Sequence, residues 1–202
     1  LKSVEILKGP ASSLYGSDAL GGVITYRSLY PEDLLTADET FKVEVPVNYD
    51  GSDSTTQGAF RIAIREEGSG IEAVVVATKA NGEELDAKAD KKYINDNENS
   101  KQSIYTNIVK NINDYTRLNF IYENVDKESD TTAKQDNLSS SYSAVTEEKD
   151  ITRWMANLGY EYDNSESNKF FNYAKINLFV QDADFSDDST VDYATSVSRY
   201  TG

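Results

Sequence analysis

The chain has 202 residues, a net charge of −15, 14 Tyr, no Cys and no His. Without Cys there are no disulfides, thiol catalysis or Cys-based metal sites, and without His the commonest metal ligand and the commonest general base near neutral pH are missing. The acidic balance argues against a nucleic-acid partner, and no run of ~18 apolar residues offers a transmembrane helix, which leaves membrane-spanning strands open.

The first element in chain order lies in "VEILKGPASSLYGSDALGGVITYRS", residues 4–28. Residues 4–7 read as a short strand, which Gly9-Pro10 breaks. Pro10 suits the first position of a helix, so residues 11–15 are expected to make one or two turns, with Gly16 adopting a positive φ at their end. Gly21-Gly22 lets the backbone pass close to a neighbour before "VITYR" resumes an extended strand. There is no GxxxxGK, and the Gly spacing fits no dinucleotide fingerprint, so no phosphate cradle is expected. No basic stretch followed by an apolar core opens the chain, so no signal peptide is read in it.

From about residue 40 the dominant period is two. In "GAFRIAIRE" Phe60, Ile62 and Ile64 share one face while Arg61 and Arg65 take the other. "RWMANLGYEYD" and "YAKINLFVQD" repeat the pattern, as do "QSIYTNIVKNI" and "TRLNFIYEN". Such alternation predicts strands with one apolar and one polar face. Seven segments show it, at about 41–50, 57–66, 71–80, 103–112, 115–125, 152–163 and 170–182. Arg61, Arg65, Lys110, Arg117 and Arg153 are expected on the polar face.

Short connections ("EEGSG", "NIND", "NSESN") largely alternate with long polar ones, "NGEELDAKADKKYINDNENSK" and "VDKESDTTAKQDNLSSSYSAVTEEKD". A meander with tight turns at one end and extended loops at the other fits a transmembrane barrel. On the strands alone a soluble β-sandwich or solenoid fits as well. Tyr49, Tyr115, Tyr122, Tyr160, Tyr162 and Tyr173 fall near strand ends, as in an aromatic girdle or in cross-strand pairs of a soluble sheet. The acidic run "DADFSDDSTVD", residues 182–192, lacks the Gly and Glu of an EF-hand loop and is expected to be a solvated loop without metal. No pair of carboxylates stands out for glycoside chemistry.

The opening stretch closely resembles the end of the plug domain of TonB-dependent outer-membrane receptors. Val4, Glu5, Gly9, Pro10, Leu14, Tyr15, Gly16, Ala19, Gly21, Gly22 and Val23 match that pattern. "ITYRSLYPEDLLTADETF", with Asp33, Leu34 and Leu35, is similar to the haem/haemoglobin-receptor branch of the family, as are "VVATKANGEELD" and "NLGYEYD". The resemblance implies an all-β chain: the C-terminal end of a plug, then part of an antiparallel up-and-down barrel, about seven strands of a 22-strand family wall. It divides the chain into the plug end (1–29), a linker (30–40) and the first part of the barrel (41–202). On this reading the chain is a fragment, and with two open edges and an apolar outer face it is not expected to fold alone.

The function implied is TonB-dependent import of an iron source across the bacterial outer membrane, with no chemical step and no cofactor in this stretch. Haem, free or from haemoproteins, is the transported ligand the branch points to. Ferric-siderophore and transferrin-type receptors are alternatives within the family, and a soluble β-rich binding or adhesin module is the alternative outside it. The partners implied are the TonB complex, outer-membrane lipids, and haemoglobin or another haemoprotein. Gly9, Pro10, Leu14, Tyr15, Gly16, Gly21 and Gly22 are expected to be structural, setting turns and close packing. The His residues with which haem receptors hold their ligand have no counterpart here, so no ligand-binding residue is assigned.

Overall fold

The computed structural model describes residues 2–8, 22–52, 54–82, 95–134, 142–164, 171–193 and 196–201. Two strands, β1 (Ser3–Lys8) and β2 (Gly22–Arg27), pair antiparallel as a separate hairpin. All later strands belong to one antiparallel sheet. They are β3 (Phe41–Glu44), β4 (Val47–Asp50), β5 (Thr55–Glu66), β6 (Ile71–Gly82), β7 (Asn95–Asn113), β8 (Thr116–Lys134), β9 (Tyr142–Asp163), β10 (Tyr173–Tyr193) and β11 (Ser196–Thr201). From β5 onward each strand pairs with the next in sequence, giving an up-and-down meander with open edges. The fold is all-β, a partial barrel wall preceded by a hairpin.

β3 and β4 both pair with β5 in one continuous register, Glu44 opposite Arg61 and Val47 opposite Gly58. They form a single edge strand interrupted at Val45-Pro46, where proline has no N–H to give to a ladder. Seven wall segments were expected, and β11 adds one beyond them. The tight turn between β5 and β6 ends at Gly70, whose φ of 65° suits a residue without Cβ. A Cβ there would lie 2.7 Å from the Asn111 carbonyl oxygen, so β7 closes directly on this turn.

Register fixes two faces. The outer one carries Phe60, Ile62 and Ile64 on β5, Ile104 and Ile108 on β7, Leu118 and Phe120 on β8, Leu158 and Tyr160 on β9, and Ile176, Leu178 and Val180 on β10. Leu178 is 65% exposed, although it belongs to the most apolar stretch of its strand. On β9 the apolar stripe runs from residue 154 to 162, roughly 30 Å of strand at the usual rise per residue. Tyr160 and Tyr162 lie toward its short-turn end, and Trp154, with Tyr122 nearby, at the other. This is the layout of a lipid-facing band with aromatic rims.

The strands outrun that band. β7 to β10 are 19 to 22 residues long, about twice what a membrane crossing needs. Much of what reads as long polar loop in the sequence is continued ladder, because backbone hydrogen bonds need no apolar side chains. The acidic run 182–192 is likewise part of β10 and not a loop. In these extensions acidic residues dominate the outer face, while the inner face mixes lysines with Glu147 and Asp187. Asp126, Glu128, Asp130, Glu148, Asp150, Asp182 and Asp184 continue the outer face, while Lys101, Lys127 and Lys149 continue the inner one.

Candidate functional site

The inner face of the wall is crossed by residues 28–39, a strap joining β2 to β3. Its one regular feature is a 3-10 turn, Pro31–Asp33. Pro31 presets φ for this turn, and Asp33 Oδ2 closes it by accepting the Tyr30 N–H at 2.8 Å. Beyond the turn, Leu35 is 5% exposed and sits among Ala63 and Val74, flanked by Leu29, Leu34, Val76 and Tyr105. Ala63 and Val74 are opposite each other on β5 and β6, and small side chains there leave the seat that Leu35 fills. Burial of such a side chain contributes about 1.5–3 kcal/mol.

Wall side chains also grip the strap by its backbone. Tyr105 Oη and Asn107 Nδ2 both donate to the Leu29 carbonyl, at 2.7 and 3.1 Å. Lys42 Nζ donates to the Leu34 carbonyl at 3.0 Å. Arg65 Nη1 reaches the carbonyls of Thr36, Ala37 and Glu39 at 2.8, 3.2 and 3.1 Å. Its Nε is held by Glu72 Oε1 at 2.9 Å, across the β5–β6 register. Because the grip is on carbonyl oxygens, it constrains the path of the strap and places few demands on its side chains.

Charges add a third set of contacts. Arg117 Nη2 donates to both oxygens of Glu32 at 2.9 and 3.0 Å, and its Cζ lies 5.1 Å from the centre of the Tyr30 ring. Asp33 pairs with Lys2 and lies 3.6 Å from Arg27, both from the hairpin. Burial works against the charge of Asp33. The hydrogen bonds from Lys2 and Tyr30, with the positive charges of Lys2 and Arg27, outweigh it and hold the carboxyl below its ordinary value. The Arg117–Glu32 pair is 33% and 41% exposed, so it contributes at most about 1 kcal/mol. Arg65, with a charged donor shared among carbonyls that face the wall, contributes more. Holding strength therefore resides in Arg65 and Leu35.

Beside the strap two polar rows run across the wall. Arg117, Glu161 and Lys175 are opposite one another on β8, β9 and β10, with Lys175 Nζ 3.1 Å from Glu161 Oε2. The next row is Asn119, Gly159 and Asn177. A Cβ on Gly159 would stand 2.5 Å from Asn119 Oδ1 and 3.0 Å from Asn177 Oδ1, so glycine makes room for two amides. Asn119 in turn donates to Asn107 Oδ1 at 2.9 Å, and Asn107 is fully buried. Residues of both rows, with Arg27, Tyr30 and Glu32, line a pocket of about 340 Å3.

Of the cations expected on the polar face, Arg65 and Arg117 contact the strap. Arg61 pairs with Glu44 at 3.3 Å and Arg153 with Glu123 at 2.7 Å, both within the wall. Lys110 departs from the expectation. Its register position opposite Ile71 and Leu118 places it on the outer face, at the short-turn end, where its ammonium reaches the Ser69 carbonyl. A long side chain at the rim of an apolar face can place its charge in the turn instead of in the band. Lys42, Glu72, Tyr105, Asn107, Asn119 and Asn177 were not foreseen. Their parity with neighbouring apolar residues is visible in sequence, but their partners depend on register between strands.

The 4–7 strand and the resumed strand at "VITYR" are β1 and β2, with Val4 opposite Tyr26 and Glu5 opposite Thr25. Gly22 opens β2 opposite Lys8. Gly9, Pro10, Leu14, Tyr15, Gly16 and Gly21, with the expected helical turn, lie outside the described residues. Among the described residues no group of three or more carboxylates is placed to hold a metal ion.

Residues 1–23 match the family model described as "TonB-dependent Receptor Plug Domain". The opening of the chain is therefore similar to the plug of TonB-dependent receptors. The chain is 37% identical over 57 residues to "Heme/hemopexin utilization protein C" of Haemophilus influenzae, covering 28% of this chain and 8% of that protein. It is 31% identical over 90 residues to "Transferrin-binding protein A" of Neisseria meningitidis serogroup B, covering 45% and 10%. It is 57% identical over 35 residues to "Hemin receptor" of Yersinia enterocolitica, covering 17% and 5%. The matched stretches thus span a tenth or less of the length of these relatives. The described site joins the plug-like opening segment to the wall.

Proposed function

We propose that the full-length protein carrying this chain imports an iron source across the bacterial outer membrane with energy supplied through TonB, and that its ligand is haem. The observation that carries this reading is the joining of a plug segment, residues 1–23, to a sheet whose outer face is apolar and whose inner face is polar. On this reading 1–29 is the end of the plug, 30–40 the linker and 41–202 the first part of the barrel. Import moves a ligand and makes no bond, so the protein is a transporter and not an enzyme. Its partners are the TonB complex, outer-membrane lipids, and a haemoprotein as donor. The glycines and Pro10 of the plug segment serve backbone geometry.

Haem is favoured by the names of two relatives, a heme/hemopexin utilization protein and a hemin receptor. The transferrin-binding relative supports a second reading, iron taken from a transferrin, because its match reaches 45% of the chain. Deleting the gene in its native host and supplying one iron source at a time separates them. Loss of growth on haem or haemoglobin, with growth on iron-loaded transferrin and ferric siderophores retained, is the expected result. Loss on transferrin alone would transfer the assignment to the second reading. Recovery of the protein in the soluble fraction, without heat-modifiable migration on gels, would leave a soluble binding module instead.

A further inference from the structure

On its outer face β6 reads Ile71, Ala73, Val75, Ala77 and then Lys79, so a cation follows directly on the apolar stripe of its strand. Lys79 lies at the end away from the tight β5–β6 turn, where a transmembrane barrel carries its extracellular loops. Beside it the outer face is indented. A groove of about 480 Å3 is lined by Val45, Gly58 and Phe60, and by Ala77 and Lys79 of β6. Val45 and Phe60 are 65% and 48% exposed, so the apolar lining is uncovered. A Cβ on Gly58 would meet nothing within 4 Å, so the room over this residue is open and not taken up by a packed neighbour.

Charge sets this part of the outer face apart. Lys79 is exposed and, among the described residues, makes no hydrogen bond or ion pair, whereas Arg61, Arg153 and Lys175 have carboxylates within the wall. Its outward neighbours Thr56, Asn81 and Gln102 are uncharged. In the row that crosses the wall through Lys79 the next charge is Asp126, two strands away and roughly 10 Å off at the usual strand spacing. That is about the screening length of physiological salt, so the carboxylate neutralises Lys79 only weakly. The apolar groove and the ammonium at its end thus offer two complementary contacts to a single amphiphile, a chain below and an anion above.

We propose that this groove binds one phosphate-bearing lipid of the extracellular leaflet, with the phosphate on Lys79 and an acyl chain over Gly58 between Val45, Phe60 and Ala77. A lysine suits phosphate as a compact point charge and needs no fixed fork geometry. The acidic extensions of β8 to β10 repel the same headgroup, which confines such a lipid to the β5–β6 side of the wall. The site rests on the reading that the outer face meets lipid, and it is independent of which ligand is carried.

Native mass spectrometry of the full-length protein, released from detergent micelles that carry lipid A or phosphatidylethanolamine at equal mole fraction, reads the site. Wild type is expected to retain lipid A in preference to phosphatidylethanolamine. Lys79→Gln should lower that retention about fivefold or more. Gly58→Leu fills the groove and keeps the charge, and should lower it as well. Lys79→Arg should keep most of it. Moving the cation one strand over, in Lys79→Gln/Gln102→Lys, conserves net charge and should not restore it. Insertion into lipid vesicles and heat-modifiable migration on gels are read for each protein beside retention. Insertion with equal retention of lipid A by wild type, Lys79→Gln and Gly58→Leu would overturn the site and leave the membrane reading standing. Full restoration by the shifted lysine, or equal retention of the two lipids by wild type, would do the same. Failure of the wild type to insert would overturn both.

Discussion

Arg65 and Glu72 face each other across β5 and β6, with Nε 2.9 Å from Oε1, and this pair aims the Arg65 Nη1 at three strap carbonyls. The two side chains are 17% and 14% exposed, and the pair holds the orientation of the guanidinium. One wall cation thus organises three residues of the linker through their backbone.

Arg65→Ala is expected to destabilise the protein by about 2–4 kcal/mol, through the lost charged hydrogen bonds and the Glu72 carboxylate left without its partner. Arg65→Lys should recover less than half of this, since an ammonium cannot serve Glu72 and the carbonyls in the same fork geometry. Thermal unfolding of the full-length protein in detergent checks the order wild type, Lys, Ala. Equal stability of the Lys variant and wild type would show that charge alone suffices.

Asn107 is fully buried and links the Leu29 carbonyl to Asn119. Asn107→Ala should cost about 1–3 kcal/mol by leaving buried groups unpaired. Asn107→Asp should cost more near neutral pH, because its carboxylate would be buried against a carbonyl oxygen. That excess should fade as the pH is lowered and the carboxyl is protonated. Urea unfolding of both variants at neutral and acidic pH distinguishes the two effects.

Glycine is required at 159 and merely present at 58. A Cβ at Gly159 would press on Asn119 Oδ1 and Asn177 Oδ1, whereas one at Gly58 meets nothing within 4 Å. Gly159→Ala is expected to cost about 1 kcal/mol or more, because Asn119 can turn aside only by giving up Asn107. Gly58→Ala should be neutral or stabilising by up to about 1 kcal/mol, through the unfolded state. Adding Asn119→Ala to Gly159→Ala should cost less than the two single changes combined, which a double-mutant cycle measures.

Asp33 makes the hairpin contact depend on pH. Its carboxyl lies below the ordinary 3.8 despite burial, through Lys2, Tyr30 and Arg27. A group with a depressed folded pKa contributes stability that is present above its unfolded value and lost as pH falls through the folded one. Hairpin protection, read by amide hydrogen exchange, should therefore be level above about pH 4 and decline below it. In Asp33→Asn the decline should be absent, which isolates this carboxylate from the others. An identical acid profile in that variant would assign the effect elsewhere.

The outer face predicts where charge is tolerated. Leu178 and Asp184 are both outward on β10, one within the apolar band and one in the acidic extension. Leu178→Arg is expected to cost about 2–4 kcal/mol in a bilayer, and Asp184→Arg close to nothing. Folding yield into lipid vesicles compares them, and equal tolerance would argue against a lipid-facing band.

The alternation of Phe60, Ile62 and Ile64 with Arg61 and Arg65 was enough to assign strands, because side chains alternate faces whatever the neighbour. Gly9-Pro10 and Gly21-Gly22 marked a boundary for a similar local reason. Strand length was less legible. Residues 126–134 and 182–193 carry no apolar stripe, and ladder hydrogen bonds leave no trace in side-chain hydropathy. Lys110 shows the limit of reading polarity as direction, since a charged residue at a strand end can sit on the apolar face and reach back to a turn.

The sequence by itself determined the fold class, the two-faced character of the wall and the kinship of its opening segment, all of which rest on local periodicity and short motifs. Only the tertiary structure decided that Arg65 and Arg117 hold the strap while Arg61 and Arg153 serve the wall, and that Asn107 is tied through Asn119 to the row that contains Gly159. Those assignments depend on the register of β5 to β10 and on where residues 28–39 cross them. Register is set by the pairing of strands distant in sequence, and no single segment contains it.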